Sequence, residues 1–224
     1  MPRTLTERVP KPNAPAVPNA PTPPNAPTMP DAPTMPNAPT RAPRADAQRN
    51  RGRLLDAARR AFTEDGEQVA LERIAQRAGV GIGTLYRHFP TRAALIEAVY
   101  RNELARLQRS ADELLGELPP SQAMRVWTDR FADYVATKRG MADTLRALIA
   151  EGTITRSQTR AGLTAAIARL LDAGAAAGAL RGDVEPEDVL SSIVGVFLTT
   201  GAPEQRAQAA RMLDLLMDGL RTRV

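Results

Sequence analysis

Residues 78–90 read AGVGIGTLYRHFP. Glycines stand at 79, 81 and 83, followed by a tyrosine, an arginine, the only histidine in the chain and a proline. Two readings compete for this stretch. One is a glycine-rich loop that cradles a phosphate; the other is the turn and second helix of a helix-turn-helix. A phosphate loop needs a β-strand before its glycines. The residues that precede these, LERIAQRA (71–78), are helical in pattern, with Leu71, Ile74, Ala75 and Ala78 on one face. The spacing G-x-G-x-G also misses G-x-G-x-x-G, and no Lys-Ser/Thr pair follows.

The helix-turn-helix reading accounts for the positions one by one. Two helices that cross steeply need a small residue where their backbones approach, and Ala75 supplies it. Four residues later the turn needs a backbone open to positive φ, and Gly79 supplies that. Ile74, Ala78, Val80 and Leu85 fill the wedge between the two helices. Gly81 and Gly83 are poor helix formers, but small residues at the front of a recognition helix let its backbone approach DNA.

Working outward, RNRGRLLDAARRAFTEDG (49–66) places Leu54, Leu55, Ala58, Ala61 and Phe62 on one helical face and stops at Asp65-Gly66. A third short helix is expected from about Ile82 to Phe89, broken at Pro90-Thr91. Thr91 caps a long fourth helix whose stripe (Leu95, Ile96, Val99, Tyr100, Leu104, Leu107) runs to about Leu118. Beyond Pro119-Pro120, five more helices are expected at about 121–138, 141–151, 156–178, 186–200 and 203–222. No alternating strand pattern occurs, so the fold class is all-α.

Upstream the texture differs. Residues 12–40 repeat every six residues (PNAPAV, PNAPTP, PNAPTM, PDAPTM, PNAPT), and 14 prolines fall within the first 43 residues. Proline removes amide donors, and almost nothing large is present to bury. The organisation expected is a disordered proline-rich tail (1–44), a three-helix helix-turn-helix domain (45–92) and a helical domain for ligand binding and dimerisation (93–224). Met29 and Met35 are internal alternatives to the start at Met1.

Composition narrows the function. The chain has 224 residues, 43% hydrophobic but only 4% aromatic, so its core is built mainly from Leu, Ala, Val and Ile. There is no cysteine, hence no disulfide, thiolate nucleophile or Cys-based metal site. With a single histidine, few general bases or nucleophiles remain, and no catalytic constellation is recognisable. No enzyme activity, cofactor or metal is therefore expected. No apolar run approaches ~18 residues and no apolar leader is visible, so neither a membrane partner nor a signal peptide is expected, and a cytoplasmic location fits. The net charge of +5 is uneven: residues 41–110 carry 14 Arg against 8 Asp/Glu, whereas residues 111–224 carry 13 Lys/Arg against 15 Asp/Glu. The basic excess surrounds the opening stretch, which suits a polyanionic partner.

The run LERIAQRAGVGIGTLYRHFPTRAALIEAV (71–99), with the first helix and its Ala57, Phe62 and Gly66, resembles the TetR family of transcriptional regulators. The LYRHF core followed three positions on by a basic residue carries the likeness. That residue is usually lysine and is Arg92 here; both meet phosphates, though arginine brings a planar fork and a different reach. The resemblance implies double-stranded DNA as partner. Ile82, Gly83, Thr84 and Arg87 would face base edges in the major groove, with Arg87 reading guanine. Tyr86, His88 and Arg92 would contact phosphates, and Arg49, Arg51 and Arg53 are candidates for further backbone contacts. Leu85 and Phe89 belong to the core.

The second half, GTITRSQTRAGLTAAIARLLDAGAAAGALRGDVEPEDVL (152–190) above all, resembles SbtR-like C-terminal domains. The family likeness implies a homodimer through the last two helices, with Leu190, Val194, Phe197, Leu198, Met212, Leu213, Leu216 and Leu220 as interface candidates. Trp127, Phe131, Tyr134, Met141, Leu145 and Leu148 are candidates for a pocket that takes an unidentified small-molecule effector, apolar or amphipathic, since no charged constellation stands out among them. The function expected is a sequence-specific transcriptional regulator, ligand-responsive and repressing, on a near-palindromic operator. Non-specific architectural DNA binding and a small-molecule-binding enzyme are the alternatives.

Overall fold

The structure is a computed structural model that describes residues 42–200 and 203–222, which form nine α-helices. The proline-rich tail expected over 1–44 lies outside the described residues, except that helix α1 (Ala42–Asp65) already begins at Ala42. Its start precedes the expected residue 49. The added turns are rich in Ala, Arg and Gln, good helix formers, with Pro43 in the first turn where no amide partner is lost.

Helices α2 (Leu71–Arg77) and α3 (Ile82–His88) have seven residues each. Isolated helices shorter than about 12 residues are marginal in water, so tertiary burial must hold them. Ile74 and Leu85 are fully buried, and Ala75, Ala78 and Phe89 are nearly so. The turn between them closes through the Val80 amide, which donates to the Ala75 carbonyl at 3.0 Å. Gly79 takes φ +66° there, a region that costs other residues strain. Helix α4 (Arg92–Glu117) begins as expected: the Thr91 hydroxyl accepts from the Ala94 amide at 3.0 Å. Its buried Leu95, Ile96 and Val99 belong to the core of the amino-terminal helices, and α4 packs on α1, α5, α6 and α7.

Helix α5 (Pro120–Arg139) carries the largest buried side chain, Trp127, whose indole N–H donates to the Leu107 carbonyl at 2.9 Å. Helix α6 (Ala142–Ala150) follows after a break at Gly140 and Met141. Gly140 is required by proximity, because a Cβ there would collide with the Phe62 carbonyl of α1. Beside it the hydroxyls of Thr63 and Thr137 meet at 3.0 Å. The end of α1 is thus held against the α5–α6 junction.

Helices α7 (Arg156–Ala176) and α8 (Pro186–Thr199) complete the carboxy-terminal half with α9 (Arg206–Leu220), which packs on α8. The expected last helix, 203–222, opens with a 3-10 turn at Pro203–Gln205 before α9. The loop after α7 is tied to the end of α9: the Arg181 amide donates to the Leu220 carbonyl at 2.8 Å. Leu180 and Arg221 form an isolated β-bridge, and no described residue belongs to a longer strand. No helix among the described residues is long and apolar enough to cross a membrane.

Candidate nucleic-acid interface

Helix α3 turns Leu85 into the core and leaves Gly83, Tyr86 and Arg87 outward. Tyr86 is 45% exposed, one of three large hydrophobic residues left open among the described residues. No Asp or Glu occurs from Arg73 to Ile96, so the surface of α3 has no carboxylate of its own. Arg73 and Arg77, also in that span, are engaged by Asp65 and Glu64 of α1. The basic groups carried by α3 are therefore Arg87 and His88.

Arg87 is already ordered along its own helix. Its Nε donates to the Gly83 carbonyl at 3.2 Å and its Nη2 to the Thr84 hydroxyl at 3.0 Å. Two of the four expected base-edge residues thus steady a third, and the remaining guanidinium N–H groups have no acceptor among the described residues. Ile82 is half-buried against the core, which gives the front of α3 a fixed seat. A Cβ at Gly81 or Gly83 would meet nothing within 4 Å, and neither has positive φ. The fold does not require these two glycines; they leave a flat, open surface at the front of α3. Gly79 alone of the three is conformationally required.

The other expected contacts are placed less uniformly. His88 is half-buried at the end of α3. The Arg92 Nη1 donates to the Glu67 carbonyl at 2.7 Å, so this guanidinium braces the α1–α2 loop. Arg51 lies over the Phe89 ring at 4.9 Å, a cation–π contact. Arg53 donates to the Asn50 side chain at 2.6 Å and passes beside the Gly79 turn. Arg49 pairs with Asp46 on α1. Arg51 and Arg53 therefore lie next to the helix-turn-helix, whereas Arg49 is held on its own helix.

In the carboxy-terminal half a cavity of about 590 Å³ opens between α4, α5, α6, α7 and α8. It takes in Phe131, Tyr134 and Leu145 of the expected pocket residues. Trp127, Met141 and Leu148 do not line it and are sealed in the core. Five cationic side chains from α5, α6 and α7 surround it, a grouping that sequence reading missed. Their positions, 138, 139, 146, 156 and 160, share no period across two helix breaks, so no local signal could have found it.

Of the eight residues expected at an interface between copies, Leu190, Leu213 and Leu220 are buried within the single chain, as is most of Phe197. Val194, Met212 and Leu216 are half-buried, and Leu198 is 79% exposed. Leu215, not among those eight, is 73% exposed on the neighbouring helix α9.

Residues 54–99 match the family of bacterial regulatory proteins called tetR, and residues 119–222 match the C-terminal domain of SbtR-like transcriptional regulators. Among solved structures the chain is similar to TetR transcriptional regulator SCO0520 from Streptomyces coelicolor. The two are 53% identical, with a TM-score of 0.73, over 78% of this chain and 99% of that one. It is also similar to a TetR transcription regulatory protein from Mycobacterium vanbaalenii, 33% identical over 80% of this chain and 99% of that one, with a TM-score of 0.63. An HTH-type transcriptional regulator of Staphylococcus aureus (strain USA300) is 42% identical over 62 residues, 27% of this chain; the match spans about a third (34%) of that relative's length. A relative 53% identical over nearly its whole length, together with the two family matches, places this chain in the TetR family of transcriptional regulators.

Proposed function

We propose that the protein is a sequence-specific DNA-binding regulator that acts as a homodimer and represses until an effector binds. The observation that carries the reading is α3 itself: a carboxylate-free helix, seated by Leu85, that turns Tyr86 and an ordered Arg87 to solvent. In this reading residues 45–92 are the DNA-binding module and 93–224 serve effector binding and dimerisation. Arg87 reads a guanine edge, with Ile82, Gly83 and Thr84 beside it in the major groove. Tyr86, His88 and Arg92 hold phosphates and set register, aided by Arg51, Arg53 and Arg49.

The exposed Leu198 and Leu215 on adjacent helices support the dimer. Two apolar side chains of that size left in water favour a self-complementary contact, in which α8 and α9 meet their copies in a four-helix interface. Val194, Met212 and Leu216 extend it. Two recognition helices about 34–36 Å apart then enter successive major grooves of a near-palindrome. The cavity lined by α6 holds the effector, and α6 is tied to the α1–α2 loop through Glu67. An effector that favours a different α6 position changes the spacing of the two α3 helices, with a coupling of about 1–3 kcal/mol.

Fluorescence anisotropy tests this on the DNA upstream of the protein's own gene and on fragments selected from the genome, each against scrambled duplex at near-physiological salt. The expected preference is about 10³-fold or more. Equal affinity for all duplexes with a steep salt slope overturns it in favour of non-specific architectural binding.

A further inference from the structure

The charge around the cavity is one-sided. Its lining includes Lys138, Arg139, Arg146, Arg156 and Arg160, and no carboxylate. Carboxylates outside the lining engage two of them: Glu187 takes Arg160 as well as the Thr164 hydroxyl, and Asp143 takes Arg146. Lys138, in the last turn of α5, and Arg156, the first residue of α7, have no carboxylate partner among the described residues. Arg156 also stands where the amides of a 21-residue helix begin, with no side-chain cap from Thr155. Such a helix start carries partial positive charge.

Behind the cations the wall is apolar, built by Leu145, Ile149, Ile154 and Leu163. A buried polar group faces the same space. Tyr134 is 5% exposed, and its hydroxyl has no hydrogen-bond partner. It neighbours the Tyr100 hydroxyl without meeting hydrogen-bond geometry, and Tyr100 is bonded to the Thr159 hydroxyl at 2.8 Å. All three side chains line the cavity. Burial, and then the neighbouring Tyr100, pushes the Tyr134 hydroxyl far above the ordinary tyrosine range, so it remains a protonated donor. A buried donor without an acceptor is costly, and an acceptor on a ligand removes that cost.

We infer that the cavity selects a small organic anion, with its acidic head at Lys138, Arg156 and the start of α7, its apolar body against Leu145, Ile149 and Leu163, and an acceptor within reach of Tyr134. The inference rests on the reading of the cavity as the effector site and narrows it to one charge class. A cationic amphipath would enter beside Lys138 and Arg156, whose charges no carboxylate among the described residues offsets. A neutral one would leave Lys138 and Arg156 solvated at the mouth and gain only apolar burial.

Two probes with the same aromatic body separate the cases: anilinonaphthalene sulfonate, and phenylnaphthylamine, which lacks the sulfonate. Trp127 is the only tryptophan, and its ring lies 5.8 Å from that of Phe131 in the cavity wall. Energy transfer from it reports a probe bound near this cavity, and loss of that signal in variants of the cavity lining assigns the probe to the cavity itself. The sulfonate is expected to bind the full-length dimer about tenfold more tightly than the neutral probe, the scale of one charge-assisted hydrogen bond. The double variant K138M/R156Q, at two exposed positions, is expected to equalise the two probes without weakening the neutral one. Y134F is expected to weaken the sulfonate probe, with a melting temperature no lower than that of the wild type because the variant removes an unpaired buried hydroxyl; unchanged binding of the sulfonate overturns the contact with Tyr134. Tighter or equal binding of the neutral probe overturns the anion class while leaving the effector cavity in place. Retention of the anion preference in K138M/R156Q overturns the placement of the head. Failure of both probes to draw energy from Trp127 overturns the effector cavity itself, and the anion inference with it.

Discussion

The Glu67 carboxylate caps the amino end of α6, 77 residues away along the chain: it accepts from the Thr144 amide at 3.0 Å and from the Thr144 hydroxyl. Its other oxygen accepts from the Asp143 amide at 3.0 Å, and its main-chain carbonyl takes the Arg92 guanidinium. One residue of the α1–α2 loop thus holds the start of the cavity-lining α6 and the start of α4.

Glu67→Ala removes that cap. The expected loss is about 1 kcal/mol of stability, the usual scale of a helix amino-terminal cap, read as a lower melting temperature. If Glu67 also transmits the effector signal, the variant binds operator with reduced response to effector. A variant of wild-type stability would show that the α6 amides are satisfied without it.

Gly140 and Gly83 are predicted to respond oppositely to alanine. At Gly140 a methyl meets the Phe62 carbonyl, a rigid main-chain group, and overpacking of this kind costs about 1–3 kcal/mol. At Gly83 the space is open, and replacing a helical glycine by alanine gains up to about 1 kcal/mol. The same methyl stands on the face proposed for DNA, so Gly83→Ala is expected to melt higher and bind operator more weakly. Thermal melts paired with anisotropy on both variants check this.

Arg87→Ala is expected to relax specificity at one base pair by about 1–3 kcal/mol, measured by competition among operators substituted at each position. Tyr86→Phe, at a proposed phosphate contact, is expected to lower affinity for all operators alike. An Arg87→Ala protein with unchanged base preference would assign the reading to other side chains.

Leu198→Asp and Leu215→Asp place charges at the two exposed leucines of α8 and α9. Because each side chain projects into water in the single chain, the fold should survive. Light scattering is expected to show a monomer for the double variant, and its operator affinity should fall because the two half-sites are no longer linked. A double variant that remains dimeric would place the interface elsewhere.

Two exposed carboxylates shape the acid side of stability. The Thr164 hydroxyl, then the Arg160 guanidinium, hold the Glu187 carboxyl below the usual range, and Arg181 does the same for Asp183. A depressed carboxyl stabilises the fold above its unfolded-state pKa, and that contribution disappears as pH falls through the folded value. The share of stability these two pairs contribute is therefore expected to be lost as pH falls below the ordinary carboxyl pKa values of about 4, read as a lower melting temperature. Glu187→Gln and Asp183→Asn should make the drop shallower.

The helices were legible because each is written in short-range terms. Leu54, Ala58, Ala61 and Phe62 recur at helical spacing, Thr91 precedes a helical stripe as a cap, and Pro119-Pro120 and Gly140 interrupt the pattern. The helix-turn-helix was legible for the same reason, since Ala75, Gly79 and Leu85 lie within eleven residues of one another. Burial was less legible. Trp127 and Phe131 sit one helical turn apart on α5, yet Trp127 is sealed by α4 while Phe131 reaches the cavity. The same ambiguity separates Leu198, in water, from Leu190 two turns earlier, in the core.

Local spacing therefore carried the all-α class, the helix breaks and the α2–α3 crossing, because backbone hydrogen bonding and side-chain periodicity act over a few residues. The cap of α6 by Glu67, the seat of Gly140 on Phe62 and the ring of cations from α5, α6 and α7 came from the packed fold alone. Each joins residues from separate helices, and such meetings depend on how whole helices pack, which no window of the chain records.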